Sequence, residues 1–166
     1  MNEKAIAIAQ EARRQEESCL YTSTMLYMWL RQVRRQNTFF VIMPIILGAL
    51  AGFSVLKDAL EPWAIALLAF LASLFPALAN GLKIQTSVTE ISSSAAAFKS
   101  LQDHFRQLAT ITVLADSDGA EKELRELMDR LDIARSTSIT APERYFARAR
   151  QKIEAGHYSF TADGAV

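Results

Sequence analysis

Side chains able to carry chemistry are few in this 166-residue chain, and their spacing assembles none of the common constellations. The histidines are His104 and His157, and the one cysteine is Cys19. A metal centre needs several ligands at short spacing, and "DHF" at 103 to 105 has no Glu or Cys where a helix would bring one alongside. His104 therefore reads as a solvated helix side chain. Cys19 recurs in an apolar seam, away from the basic pocket or helix start that favours a thiolate, so it reads as a packing residue. A lone cysteine also has no partner for an intrachain disulfide, which suits a reducing cytoplasm. No glycine-rich phosphate loop, GxSxG or HExxH occurs. Asp116, Asp118 and Glu121 lack the twelve-residue calcium-loop pattern, and helix capping explains them more simply. The expectation is a protein that is not an enzyme, with no catalytic residue, metal or cofactor.

What stands out instead is a set of small residues inside two charge-free runs, "TFFVIMPIILGALAGFSVL" (38–56) and "PWAIALLAFLASLFPALANGL" (62–82). Nineteen helical residues rise roughly 28 Å, close to the hydrocarbon thickness of a bilayer. In the first run Gly48 and Gly52 form a GxxxG with Ala49 and Ala51 beside them, a face that lets another helix approach closely. In the second, Ala66, Ala69, Ser73, Ala77 and Asn80 fall on one side at helical spacing, while Leu67, Leu68, Phe70, Leu71, Leu74, Phe75 and Leu78 lie largely elsewhere. Such a stripe belongs against protein or water rather than lipid. Two partners are open: the Gly48/Gly52 face of the same chain, or a water-filled path in an oligomer that Ala66, Ser73, Ala77 and Asn80 would line. Pro44 and Pro76 sit within the runs, as proline often does in membrane helices.

The elements that position these residues follow from the charge pattern. Only Lys57, Asp58 and Glu61 are charged between 38 and 82, and all three belong to the link "KDALE" (57–61). A short polar link between two apolar runs predicts an antiparallel transmembrane hairpin. Ten charged residues precede the first run, so it reads as an anchor rather than a signal peptide. Arg31, Arg34 and Arg35 precede the hairpin and Lys83 follows it, marking the cytoplasmic boundary and placing both termini in the cytoplasm. With 18 Lys and Arg against 18 Asp and Glu, the phosphate-neutralising patch of a nucleic-acid binder is not expected.

The flanks read as helices. Residues 1–37 contain no Gly or Pro, and Ala5, Ala12, Cys19, Leu26 and Val33 recur every seven residues as one seam, with Tyr21, Tyr27 and Trp29 toward the membrane end. After the hairpin, Ile84, Val88, Ile91, Ala95, Phe98, Leu101, Phe105 and Leu108 form a second seam. The pattern predicts an unbroken helix from about Pro62 to about Leu114, with Gly81 and "SSSAAA" as its weak points. Both seams offer surfaces for self-assembly, without which two spans per chain cannot enclose a channel. "ADSDG" predicts a turn, and Asp118 with Glu121 a capping box opening a helix whose face is Leu124, Leu127, Leu131 and Ala134. Thr140 with Glu143 repeats that signal with Pro142 in the first turn, and the last helix ends at Gly156. The organisation is thus an all-α chain: an N-terminal cytoplasmic helix (1–37), a hairpin (38–82), a cytoplasmic stalk and bundle (83–156) and a flexible tail (157–166).

The order of features, with "RQVRRQ" before the hairpin, "KIQTSVTEISSSAAAFKSLQDHFRQL" after it and "APERYFARARQKIEAG" at the close, resembles the SLATT family of prokaryotic two-span proteins over nearly the whole chain. The resemblance implies a membrane effector of a bacterial conflict system, placed in the inner membrane as a multi-pass protein. It implies an oligomeric pore that disrupts the membrane when invasion is sensed, paired with a nucleotide-generating or nucleotide-sensing cytoplasmic partner. It carries over no site residue. The competing expectation is a membrane-anchored adaptor that docks a cytoplasmic partner on charged faces around Glu123, Arg130, Arg144 and Arg148.

Overall fold

With no Gly or Pro ahead of Pro44, nothing interrupts helix formation across the first 43 residues, and the apolar run simply continues it. The computed structural model describes residues 3–57 and 60–158, and in it α1 is one helix of 55 residues, Glu3–Lys57. Every other described element is also helical: α2 (Pro62–Gly81), α3 (Ile84–Gln107), a π-helical turn (Leu108–Thr112), α4 (Val113–Ala115), α5 (Ser117–Thr137) and α6 (Glu143–Glu154). The all-α class is as expected. Asp58 and Ala59 of the link, and the tail from Ser159, lie outside the described residues. The chain divides into two compact units, one made of the residues up to Trp29 with those from Glu90 onward, the other of Leu30–Thr89.

In the first unit the heptad seam of α1 is the buried one: Ala5, Ala12, Cys19 and Leu26 are each at most 4% exposed, joined by Ile8. The α3 seam is buried as well, through Ile91, Ala95, Phe98, Leu101, Phe105 and Leu108. These seams, expected as surfaces for self-assembly, are consumed by packing within the chain. The same apolar face cannot be both a core and an oligomer contact. Polar groups that enter this core are satisfied. Gln15 accepts from Arg135 Nη2 (3.2 Å) and donates to Glu11 Oε1 (2.6 Å), and the Ser23 hydroxyl donates to the Leu20 carbonyl (3.2 Å).

The π-helical turn has a packing reason. Uninterrupted α-helical spacing from Phe98, Gln102, Phe105 and Ala109 would bring Thr112 to the core next. The Val113 N–H instead reaches the Leu108 carbonyl, the added residue turns the helix back, and Val113 is the one that is buried. Beyond it, Asp116 in an extended conformation (φ −153°, ψ 111°) ends the helix and caps the next, its Oδ1 accepting from the Asp118 N–H at 3.0 Å. The expected capping box at Asp118 and Glu121 is therefore displaced by two residues, and those carboxylates are used elsewhere. Gly119 makes the cap possible, since a Cβ there would stand 2.5 Å from Asp116 Oδ2. Ala120, Leu127 and Leu131 are the buried stripe of α5. At α6, Pro142 itself occupies the cap position with no side-chain bond, so Thr140 does not cap as expected. Tyr145 and Ala149 are buried, the neighbouring Phe146 ring lies 6.3 Å from that of Tyr21, and Gly156 takes the left-handed φ of 77° that closes the helix.

In the second unit, α1 and α2 bring together the rings of Phe39, Phe40 and Phe75, with Phe75 5.9 Å from Phe39 and 5.8 Å from Phe40. Leu30, Val33, Ala51 and Ile84 are buried, and α2 contains no buried residue. The helix expected to run unbroken from Pro62 to Leu114 is broken at Leu82 and Lys83. Gly81 is the weak point, but Lys83 takes the left-handed conformation, φ 50°. The Leu82 N–H still bonds Leu78, the Lys83 N–H reaches only Asn80, and the Lys83 carbonyl restarts the ladder with Ser87. "SSSAAA" stays helical inside α3 because Ala95 is a core position there.

Candidate functional site

The apolar lengths of α1 and α2 are the feature that needs a function. Both are long and apolar enough to cross a membrane, and of their most apolar 18-residue windows only 6% and 0% is buried. A core helix of a water-soluble protein passes the same length test but hides its apolar surface. Here Ile45 is 66% exposed, Phe53 59%, Trp63 70% and Phe70 61%. Contiguous exposure of this kind marks contact with lipid or with another protein.

The two faces of α2 differ in kind. Ile65, Leu68, Leu71, Phe75 and Ala79 are half-buried, at the three- and four-residue steps of one helix side, and Phe75 on that side meets the α1 rings. Ala66, Ala69, Ser73, Ala77 and Asn80 are all exposed on the opposite side. Trp63, Leu67, Phe70, Leu74 and Leu78 are exposed as well, on a third side, so both a large apolar surface and the small-polar stripe of α2 face away from α1. Gly48 and Gly52 are exposed too, and a Cβ on either would meet nothing within 4 Å; of the expected packing trio only Ala51 is buried. The chain does not bring its glycine face and its small-polar stripe together. The Ser73 hydroxyl donates to the Phe70 carbonyl at 2.7 Å, which satisfies it without water, while the Asn80 amide has no side-chain hydrogen bond among the described residues.

Arg31, Arg34, Arg35 and Lys83 are exposed, and among the described residues none of them forms an ion pair. Most other charges lie in the first unit. Lys4 Nζ bridges Asp118 Oδ1 (2.6 Å) and Glu121 Oε2 (2.9 Å), and Glu121 also pairs with Arg125. Hydrogen bonds to the two carboxylates raise the Lys4 ammonium well above its ordinary range, and the ammonium in turn holds both carboxyls below theirs. This tie between the starts of α1 and α5 escapes sequence reasoning, because no local pattern links residues 114 positions apart.

The side chains with chemical potential stay isolated. Cys19 is 1% exposed and its thiol is pushed up to about 11 by burial, so it resists forming the reactive thiolate. His104 Nδ1 sits 2.7 Å from the Ser100 carbonyl one turn back. Among the described residues no three His, Cys, Asp or Glu side chains come together as a metal set. Two open grooves run between α3 and α5. One, of about 290 Å³, lies against Ala97, Ser100, Ile133 and Thr137; the other, of about 440 Å³, against His104, Lys122, Glu123 and Glu126; Arg130 borders both. Against known proteins, no family model, no curated protein and no solved structure matches the chain.

Proposed function

We propose that this chain is a membrane effector that self-assembles into a pore, an architecture like that of the SLATT proteins it resembles. In this reading the apolar lengths of α1 and α2 cross the bacterial plasma membrane as an antiparallel hairpin. Phe75 follows Pro62 by 13 residues and Phe40 precedes Lys57 by 17, and their contact across a four-residue link supports helices that run in opposite directions. Both termini lie in the cytoplasm, on the side of Arg31, Arg34, Arg35 and Lys83. A cytoplasmic sensor or nucleotide-signalling partner delivers the trigger, and nucleic acid is not a ligand. The protein acts on the bilayer without catalysing a reaction and needs no cofactor.

The observation that carries this reading is the orientation of α2. In lipid, a helix with free choice turns its large apolar residues outward and hides its small and polar ones. Here Trp63, Leu67, Phe70, Leu74 and Leu78 are exposed as lipid would have them, but Ala66, Ser73, Ala77 and Asn80 are uncovered too and are left for something other than this chain. A second copy, with the stripes converging on a wet axis, satisfies them; Gly48 and Gly52 give that copy a place to approach. The test is the mass of single particles in nanodiscs together with ion flux from liposomes. Rings of four or more subunits that conduct are expected, with Gly48→Leu and Gly52→Leu reducing both. A monomeric, non-conducting protein would defeat the proposal.

One observation favours the adaptor as a second reading: Arg130 borders both α3/α5 grooves, with the exposed apolar side chain of Ile133 in one and Glu123 in the other, a charged and apolar surface that a partner helix would cover. Replacing the hairpin by an unrelated one separates the two readings, since only an adaptor would keep its activity.

A further inference from the structure

The cations at the cytoplasmic end of the proposed hairpin are built differently from the chain's other charges. Arg31, Arg34 and Arg35 share one flank of α1 by their i, i+3 and i+4 spacing, and all are exposed. Between Leu30 and Thr89 the only carboxylates are Asp58 and Glu61, which follow the far end of α1's apolar run. Among the described residues none of these guanidinium groups forms an ion pair. Leu30, Val33 and Ile84, their immediate neighbours in sequence, are buried, whereas the cations are exposed.

Lys83 joins them by height. It lies eight residues beyond Phe75, and Arg31 lies eight residues before Phe39, whose ring Phe75 meets. In antiparallel helices both paths climb about 12 Å from that contact, which brings the two cations to one level. Lys83 also holds the left-handed backbone conformation, φ 50°, that side chains other than Gly, Asn and Asp seldom adopt. Four cations without an ion pair among the described residues, within about 6 Å of one another along the helix axis and at the edge of about 30 Å of apolar helix, match a layer of anionic phosphates.

We infer that Arg31, Arg34, Arg35 and Lys83 form a belt that binds the headgroup phosphates of anionic phospholipids and selects them over zwitterionic ones. The inference rests on the membrane reading above and adds the class of lipid. Each basic residue near an anionic surface strengthens binding roughly fivefold, so four together make a selectivity well above experimental error.

The test uses the full chain in an uncharged detergent, titrated separately with phosphatidylglycerol, phosphatidylcholine and inorganic phosphate while the unfolding midpoint is followed. Phosphatidylglycerol is expected to raise the midpoint and to half-saturate at a mole fraction at least fivefold lower than phosphatidylcholine, with no effect of millimolar phosphate. R31Q/R34Q/R35Q/K83Q should lose that preference, R34Q/R35Q should lose part of it, and R31K/R34K/R35K should keep it. If the fourfold variant fails to fold, the two milder ones decide. Equal response to the two lipids, full preference in the glutamine variants, or reproduction of the shift by inorganic phosphate would each overturn the belt. Carbonate washing of membranes keeps the two proposals separate. A wild-type chain that washes off refutes the membrane reading, whereas one that stays and shows no lipid preference refutes only the belt.

Discussion

Replacing Phe70 by arginine separates a membrane hairpin from a water-exposed one with a single side chain. Phe70 is 61% exposed and lies about 12 Å along α2 from Pro62 and about 16 Å from Gly81, near the middle of the helix. At the centre of a spanning helix, arginine costs about 2.5 to 3.5 kcal/mol on the insertion scale, and phenylalanine contributes about −0.3 to −0.6. The swing of roughly 3 to 4 kcal/mol lowers the ratio of inserted to uninserted chain by a factor on the order of several hundred. On a water-facing surface the same substitution changes stability by about 0.5 kcal/mol or less. The readout is a cysteine introduced as Glu61→Cys, labelled from outside intact cells with a membrane-impermeant maleimide. The native thiol gives little background, because Cys19 is 1% exposed and pushed up to about 11. Phe70→Arg should abolish most of the external labelling and shift the chain into the carbonate-soluble fraction. Labelling and fractionation unchanged by the arginine would refute the argument that α2 meets lipid.

Three further outcomes follow from the first unit. Gly119→Ala should fail to give the roughly 1 kcal/mol that alanine normally adds over glycine in a helix, because its Cβ displaces the Asp116 cap; Asp116→Ala should lower stability by about 1 kcal/mol in thermal unfolding. Lys4 holds the Asp118 and Glu121 carboxyls low, so their contribution is complete above the ordinary carboxylate range and is lost as pH falls through their depressed values. Lys4→Ala should flatten the acid side of a plot of unfolding midpoint against pH, and an unchanged acid limb would show that the bridge contributes nothing in solution. Phe105, fully buried in the α3 seam, should cost about 3 to 5 kcal/mol when truncated to alanine, read by denaturant midpoint.

Much of this protein is determined by local sequence. The seven-residue recurrence of Ala5, Ala12, Cys19, Leu26 and Val33 identifies a buried seam without reference to what covers it, and all five positions are buried. The same holds for seven of the eight α3 seam residues, Val88 being half-exposed. Helical periodicity dictates which side chains share a face, and apolar area decides that such a face leaves water. The two charge-free runs are equally legible, because length and absence of charge are properties of the chain alone.

Other features exist only once the chain is folded. The break at Lys83, the π-helical turn that keeps Val113 inward and the cap at Asp116 rather than Asp118 are not legible in the helical periodicity, which runs through all three. Lys4 finds Asp118 and Glu121 only because the core brings the starts of α1 and α5 together. The side of α2 that meets α1 is likewise a tertiary choice. Periodicity groups Ala66, Ser73, Ala77 and Asn80 on one stripe and spreads the large residues over the rest of the helix surface. Only the packing of Phe75 on Phe39 and Phe40 determines which stripe is left uncovered, because one helix surface can meet one neighbour at a time.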